Sequence, residues 1–255
     1  MIKLIIRADD IGYSEAVNYG IEKSVKEGLI GSAGLMPNMP FAEHGLKLLE
    51  GTNIAIGQHT NMCLERPCSD PKNIPSLVDE NGCLKSSRTY REAFKNKEDF
   101  VVVEEAVIEI EAQYKRFKEL VGKEPAYFEA HAVLSINLFK SLEIVAEKYN
   151  LPYQGISFDG TPTTFNKKPI MMLPMGSMEK EYDPFETLQK DILEYAREDM
   201  PNVFVCHPGY IDDYLLRNSS LTINRAKETA MLCDPKVKEW LLEHEVELVT
   251  YDDVR

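Results

Sequence analysis

The run Leu4-Ile5-Ile6-Arg7-Ala8-Asp9-Asp10 is a short, mostly apolar stretch that ends on two carboxylates. Three further runs share its grammar: Ile54-Ala55-Ile56-Gly57-Gln58-His59, Ala126-Tyr127-Phe128-Glu129-Ala130-His131 and Val203-Phe204-Val205-Cys206-His207. Each reads as a buried strand that ends on a polar group. If the strands are parallel neighbours, the aspartate pair and three of the chain's five histidines gather at one rim. In parallel α/β folds the carboxyl ends of the strands are where chemistry is placed.

Outward from these strands, helix and strand signals alternate. Ser14 is a fitting N-cap for a helix over 15–27, closed by Gly28. A strand over 29–36 stops at Pro37, and a helix over 41–49 closes at Gly51. Val103, Val107, Ile110, Tyr114, Phe117 and Val121 form one stripe on a helical period. Further helices are expected over 138–149, 184–197 and 222–244, the last interrupted at Asp234-Pro235. Short strands are expected over 152–156, 169–173 and 246–250. Residues 60–99 hold Pro67, Pro71, Pro75 and Gly82 among polar residues and read as a long loop leaving the rim beside His59, a candidate substrate wall. About eight strands alternating with about seven helices imply a parallel sheet. The fold class expected is α/β, an irregular (β/α) TIM-like barrel in a single domain spanning 1–255; an open doubly wound sheet is the alternative.

The 255 residues suit one such barrel. A net charge of −13 argues against nucleic acid or an anionic membrane as partner and leaves a small molecule. The first apolar run meets charge at Arg7, too early for a signal peptide, and no run approaches the ~18 apolar residues of a membrane span. A cytoplasmic location is therefore expected. The five scattered cysteines read as reduced thiols. A homodimer is the assembly considered.

Two carboxylates and three imidazoles converging at one rim suit a metal site with an acid/base pair. Neutral imidazole and carboxylate fit Zn²⁺ and related divalent ions, and three protein ligands with an open position mark a catalytic site. Asp9 and Asp10 can differ in role, one binding metal and the other taking a proton. Glu129 lies two residues before His131 and so points to the same side of its strand; it reads either as an orienting partner for a ligand or as a buried structural carboxylate. His44 and His244 sit in helical, charged contexts and read as surface residues. Cys206 and His207 point apart as strand neighbours, so a Cys–His nucleophile is not expected.

Ala8-Asp9-Asp10-Ile11-Gly12-Tyr13-Ser14 resembles the N-terminal signature of the YdjC-like carbohydrate deacetylases, the chitooligosaccharide deacetylase type. Gly57-Gln58-His59-Thr60-Asn61, Cys206-His207-Pro208-Gly209-Tyr210 and Asn224-Arg225-Ala226-Lys227-Glu228 resemble its later motifs, in order, across nearly the whole chain. The resemblance implies an irregular (β/α) barrel and metal-dependent hydrolysis of an N-acetyl group from an amino sugar or short chitooligosaccharide, phosphorylated or not. It makes Asp9 the general base, His207 the general acid, and Asp10, His59 and His131 the ligands of one divalent ion, Zn or Mg. Asn61 and Glu129 are the candidate substrate-binding residues. A base that must be ionised and an acid that must be protonated together predict a bell-shaped pH dependence. The middle motif departs from the family: Glu129 stands where Asp is usual, and the histidines that usually follow His131 are absent, which bears on the substrate more than on the metal. The rival readings are another metal hydrolase, acting on a phosphoester, and a glycan-binding homologue without catalysis.

Overall fold

Side-chain parity on four parallel strands sets the architecture of the computed structural model, which describes residues 1–157 and 160–255. Among these the strands are β1 (Ile2–Ile11), β2 (Ser32–Leu35), β3 (Ala55–Thr60), β4 (Phe128–Ala130), β5 (Thr163–Phe165), β6 (Lys168–Met172), β7 (Asn202–Cys206) and β8 (Val246–Leu248). The helices are α1 (Glu15–Lys26), α2 (Ala42–Leu48), α3 (Ser87–Lys95), α4 (Val103–Val121), α5 (Ile136–Tyr149), α6 (Pro184–Tyr195), α7 (Asp213–Asn218), α8 (Ile223–Leu232), α9 (Pro235–Glu243) and α10 (Tyr251–Val254).

The sheet runs β4-β3-β2-β1-β7-β6-β5 and curls into an irregular barrel, with every pairing parallel except β5 with β6. Leu4 pairs with both Asn202 and Leu248, so β8 fills the β1 edge opposite β7, below the start of β2. Between β4 and β5 the ring is stitched by a short extended segment: Tyr153 bridges to Phe128 and Gln154 to Phe165. The strand expected over 152–156 is reduced to these bridges, because Pro152 lacks an N–H and Gly155 adds no packing. Chain 163–165, not expected as a strand, turns back antiparallel instead.

Odd-numbered residues of β1, β3, β4 and β7 face inward. Ile5, Ala55, Tyr127, Val203 and Val205 form the interior cluster with Tyr251. Leu4, Ile6, Ala8, Ile54, Phe204 and Cys206 pack outward under the helices. Gly57 is the interior residue two before His59. A Cβ there would lie 2.4 Å from the ring of Tyr127, so the missing side chain makes room for an aromatic that fills the barrel.

Residues 60–99 are not a structureless loop. They hold a turn of 3-10 helix, Pro71–Asn73, and α3. Met62, Ile74, Leu77, Leu84 and Tyr90 pack with Ile110, Phe128 and Leu142 into a second apolar cluster over α4 and α5. Glu109 and Gln113, buried in mid-α4, anchor this segment: Glu109 accepts from the backbone of Cys68 and Ser69, and Gln113 hydrogen-bonds both ways with the Asn61 backbone. Sequence periodicity misses such packing because the segment is irregular. A short helix, α7, also occupies part of the expected loop after His207. The cysteines are all free, and no helix among the described residues is long and apolar enough to cross a membrane.

Overpacking a filled interior costs about 1–3 kcal/mol. Gly57→Ala should therefore lower the melting temperature measurably in a thermal scan; an unchanged value would contradict the packing of Tyr127 against this position.

Candidate active site

Parity brings Asp9, His59, Glu129, His131 and His207 to the upper end of the barrel interior, each one step above an interior residue of its strand. Arg7 pairs with Val205 and Ala8 with Cys206, so Asp9 and His207 stand level; His59 pairs with Glu129. Asp10 is the exception that parity alone would turn outward. Ala8 pairs with Ala33 and Ile11 with Leu35, so β1 carries one residue more than β2 between these points. This bulge, with Asp10 at φ 80, turns its side chain into the site. A left-handed conformation is uncommon outside glycine, though Asp tolerates it better than most residues.

Asp10 is fully buried and splits its two oxygens. Oδ2 accepts from Arg225 Nη2 at 2.7 Å. Oδ1 has no hydrogen-bond partner of adequate geometry and lies 3.3 Å from His59 Nε2 and 3.1 Å from His131 Nδ1. Those two nitrogens are 2.9 Å apart. Ligand bonds of about 2.0–2.2 Å in a tetrahedral site place donor atoms roughly 3.4 Å from one another. A buried carboxylate oxygen and two imidazole nitrogens, converging at nearly that spacing, fit a divalent cation.

The other nitrogen of His59, Nδ1, is hydrogen-bonded to Glu129. That fixes the ring and directs Nε2 toward Asp10, the usual arrangement of a metal-binding histidine held by an outer carboxylate. Asp9, His59 and Glu129 form a second cluster with ligand spacing. Both of its carboxylates already face Arg7: Nε is 2.7 Å and Nη2 2.8 Å from the Asp9 oxygens, and Nη2 is 3.5 Å from Glu129. The Asp10–His59–His131 group is the better fit because it brings two imidazoles together and its carboxylate Oδ1 faces them rather than a guanidinium.

Charge balance follows this geometry. Burial would raise both aspartates, but Arg7 holds Asp9 below the ordinary range and Arg225 holds Asp10 well below it. Burial works downward on the imidazoles, yet Glu129 and Asp9 outweigh it at His59, and Asp10 lifts His131 to about 9. His207 behaves oppositely. Burial pushes its imidazole down to about 4, against the pull of Asp10 and Asp9. Its Nδ1 is buried without a partner among the described residues.

Helix α8 braces the site from outside. Besides Arg225 on Asp10, it carries Glu228, which accepts from the His207 backbone N–H and from Tyr182 Oη. Burial raises Glu228 to about 7. The arginine–glutamate motif was visible in the sequence, but its two targets were not, since Asp10 and His207 lie far away along the chain. Arg7 was missed altogether: a cation in mid-strand gave no signal beyond an interruption of the apolar run.

The side chains of Asn61 and Glu129 are both engaged within the chain. Asn61 is fully buried, and its side chain is used internally: it donates to Asn38 and the Leu64 carbonyl and accepts from the Cys63 and Leu64 N–H groups. It shapes the turn after β3 and presents no free group to a substrate. Glu129 is hydrogen-bonded to His59 and faces Arg7. His244 is exposed as expected and stacks on Trp240, whereas His44 is partly buried against Asn18.

The family model described as YdjC-like protein matches residues 3–243. Carbohydrate deacetylase 2 of Listeria innocua serovar 6a is 31% identical over 99% of both chains. The carbohydrate deacetylase of Geobacillus stearothermophilus is 32% identical, covering 97% of this chain and 96% of its own. A solved structure from Enterococcus faecalis V583, named as a candidate cellobiose-phosphate cleavage protein, superposes with a TM-score of 0.82 at 26% identity, covering 99% of this chain and 98% of its own. A family 4 acetyl xylan esterase from Clostridium thermocellum, solved with a cobalt ion, shares the fold at a TM-score of 0.52 and 11% identity, covering 99% and 89%.

Removing one partner of a buried ion pair costs about 3–5 kcal/mol. Arg225→Met should destabilise the chain by that amount in urea titrations. Adding Asp10→Asn should recover part of the loss; a double variant less stable than Arg225→Met would contradict the pairing.

Proposed function

The chain belongs to the YdjC-like family, and from that premise we propose that it is a metal-dependent hydrolase removing the acetyl group of an N-acetylated amino sugar or short chitooligosaccharide. The observation that carries the metal is Asp10 Oδ1, a buried carboxylate oxygen aimed at two imidazole nitrogens and given no other partner. The relatives' names support deacetylation of a carbohydrate, and the resemblance of the motifs narrows it to an N-acetylated amino sugar. Asp10, His59 and His131 would hold the ion, and two nitrogen donors favour Zn over Mg. Such an ion, when bound, polarises an amide carbonyl and acidifies water.

The remaining chemistry is assigned to the chain's own side chains. Asp9, ionised and clasped by Arg7, stands beside the ligand group without belonging to it and takes the proton of the attacking water. His207, level with Asp9 across β1 and β7, delivers a proton to the sugar nitrogen as the C–N bond breaks. The environment favours a neutral His207, which departs from a resting imidazolium. The balance still closes: one proton leaves water and one arrives on the amine, so His207 relays the proton first taken by Asp9. Glu65 reaches from the 60–99 segment to Tyr214 Oη on α7 and ties the segment to the rim, which supports its role as a wall of the substrate cleft. A pure glycan binder would need neither Asp9 nor His207 in this placement.

The direct test is acetate release from a panel of N-acetylated sugars with Zn added back after chelation. Activity should disappear on chelation and return with metal. Asp9→Asn should keep the metal and lose roughly 10²–10⁴-fold in rate; near wild-type turnover would contradict the base assignment. His59→Ala and His131→Ala should lose most of the metal, and full occupancy in both would sink the ligand set.

The raised imidazoles set the pH dependence of metal binding. Metal takes the neutral rings, so protons must leave His59 and His131. Because His131 titrates at about 9, apparent Zn affinity should weaken as pH falls below 9, by up to about tenfold per unit for each ring. Zn titrations across pH check this, and a pH-independent affinity would contradict it. With metal saturating, turnover should not fall on account of His207 as pH drops toward 4, because the ring that charges there can donate its proton directly. A loss of rate over that range that His207→Ala abolishes would contradict the donor role.

A further inference from the structure

Arg7 points into the barrel from β1 and is 4% exposed. Its guanidinium is a rigid planar fork whose donors are aimed together. The Nε and Nη2 edge lies against Asp9. Nη1, on the far corner, donates to Tyr251 Oη at 3.2 Å. Tyr251 Oη donates in turn to Gln154 Oε1, on the segment that stitches the barrel shut.

Tyr251 comes from the last few residues of the sequence, and those residues are firmly placed. Its ring is fully buried, stacked on Tyr127 at 4.1 Å and edge-on to Phe165 at 5.0 Å. Its N–H donates to Ser32 Oγ at 3.4 Å. The Thr250–Asp253 capping box closes the turn, and Lys168 Nζ holds the Arg255 carbonyl at 2.9 Å. The hydroxyl is thus fixed by the ring, and the guanidinium is fixed at one corner by the hydroxyl.

We propose that Tyr251 is a positioning residue for the Asp9 proton acceptor, acting through Arg7. This rests on the reading of Asp9 as general base. Without the hydroxyl, Nη1 loses its hydrogen-bond partner, and the fork regains one by pivoting. A pivot breaks the edge-on grip on Asp9 and moves the same Nη2 relative to Glu129, the partner of His59. Both carboxylates then lose their fixed aim. The turn that carries Tyr251, level with Arg7 just below the rim, thereby sets the geometry of the reacting end.

Tyr251→Phe keeps the stacked ring and removes only the hydroxyl. It should lower kcat by on the order of 10–100-fold, the scale of a misplaced catalytic group, while KM, with Zn in excess, stays near wild type. In an Arg7→Lys background, where the fork is gone, adding Tyr251→Phe should cost little more. Unchanged kcat in Tyr251→Phe, or an equal fall in both backgrounds, would overturn the proposal. A second readout needs no turnover. The Arg7 Nε–H resonance of ¹⁵N-labelled protein should be protected from exchange in the wild type and exchange at least tenfold faster in Tyr251→Phe. Equal exchange would overturn the proposal even if no N-acetylated sugar proved to be a substrate. Faster exchange in a chain that releases no acetate would support the Tyr251–Arg7 linkage and reject the base assignment on which its catalytic meaning rests.

Discussion

A β-strand shows only every second side chain to one face, so the adjacent residues Asp9 and Asp10 cannot both face a barrel interior on a regular strand. The extra residue of β1 between Ala8 and Ile11 lifts that constraint. With Asp10 at φ 80, two neighbouring carboxylates enter the same small space from one strand. Left together they would repel each other and tend to share a proton. They are separated by two arginines: Arg225 takes one oxygen of Asp10 and leaves the other facing the imidazoles, while Arg7 engages both oxygens of Asp9. The proposed division between metal ligand and proton acceptor therefore rests on which arginine each carboxylate meets.

The rest of the site follows from that division. Asp9, Asp10 and Glu129 face two guanidiniums, so with neutral histidines one negative charge is uncompensated. Burial works against it, but Asp10 lifts His131 to about 9, and a cation at the three proposed ligand atoms would answer the same imbalance. His207, across the barrel, has its main-chain N–H tied to Glu228 and no partner on Nδ1 among the described residues, and burial dominates there. Similar rings at the ends of similar strands thus acquire opposite proton affinities.

What could be read from the chain was whatever repeats with a period or ends a strand. The apolar runs before Asp9, His59, His131 and His207 gave the barrel and the convergence of these residues. The stripe from Val103 to Val121 gave α4 to its bounds. The unread parts depend on contacts between distant segments. Arg7 and Tyr251 meet across nearly the whole chain, and nothing local to either announces the pair. Asn61 sits in a motif, and nothing local announces that its amide closes the turn after β3. The 60–99 segment looked open because its prolines and polar residues mask anchors that come from Glu109 and Gln113 on α4.

The central claim is that Asp10, His59 and His131, and not Asp9, His59 and Glu129, form the cation site. The two groups share one imidazole but differ in the other: the first supplies two, the second only one. X-ray absorption of the Zn-loaded chain counts imidazoles directly through their multiple-scattering signal. Two imidazoles per Zn in the wild type, with most of the Zn lost in His131→Ala, is the result this account predicts. A single imidazole in the wild type, unaltered by His131→Ala, would contradict it.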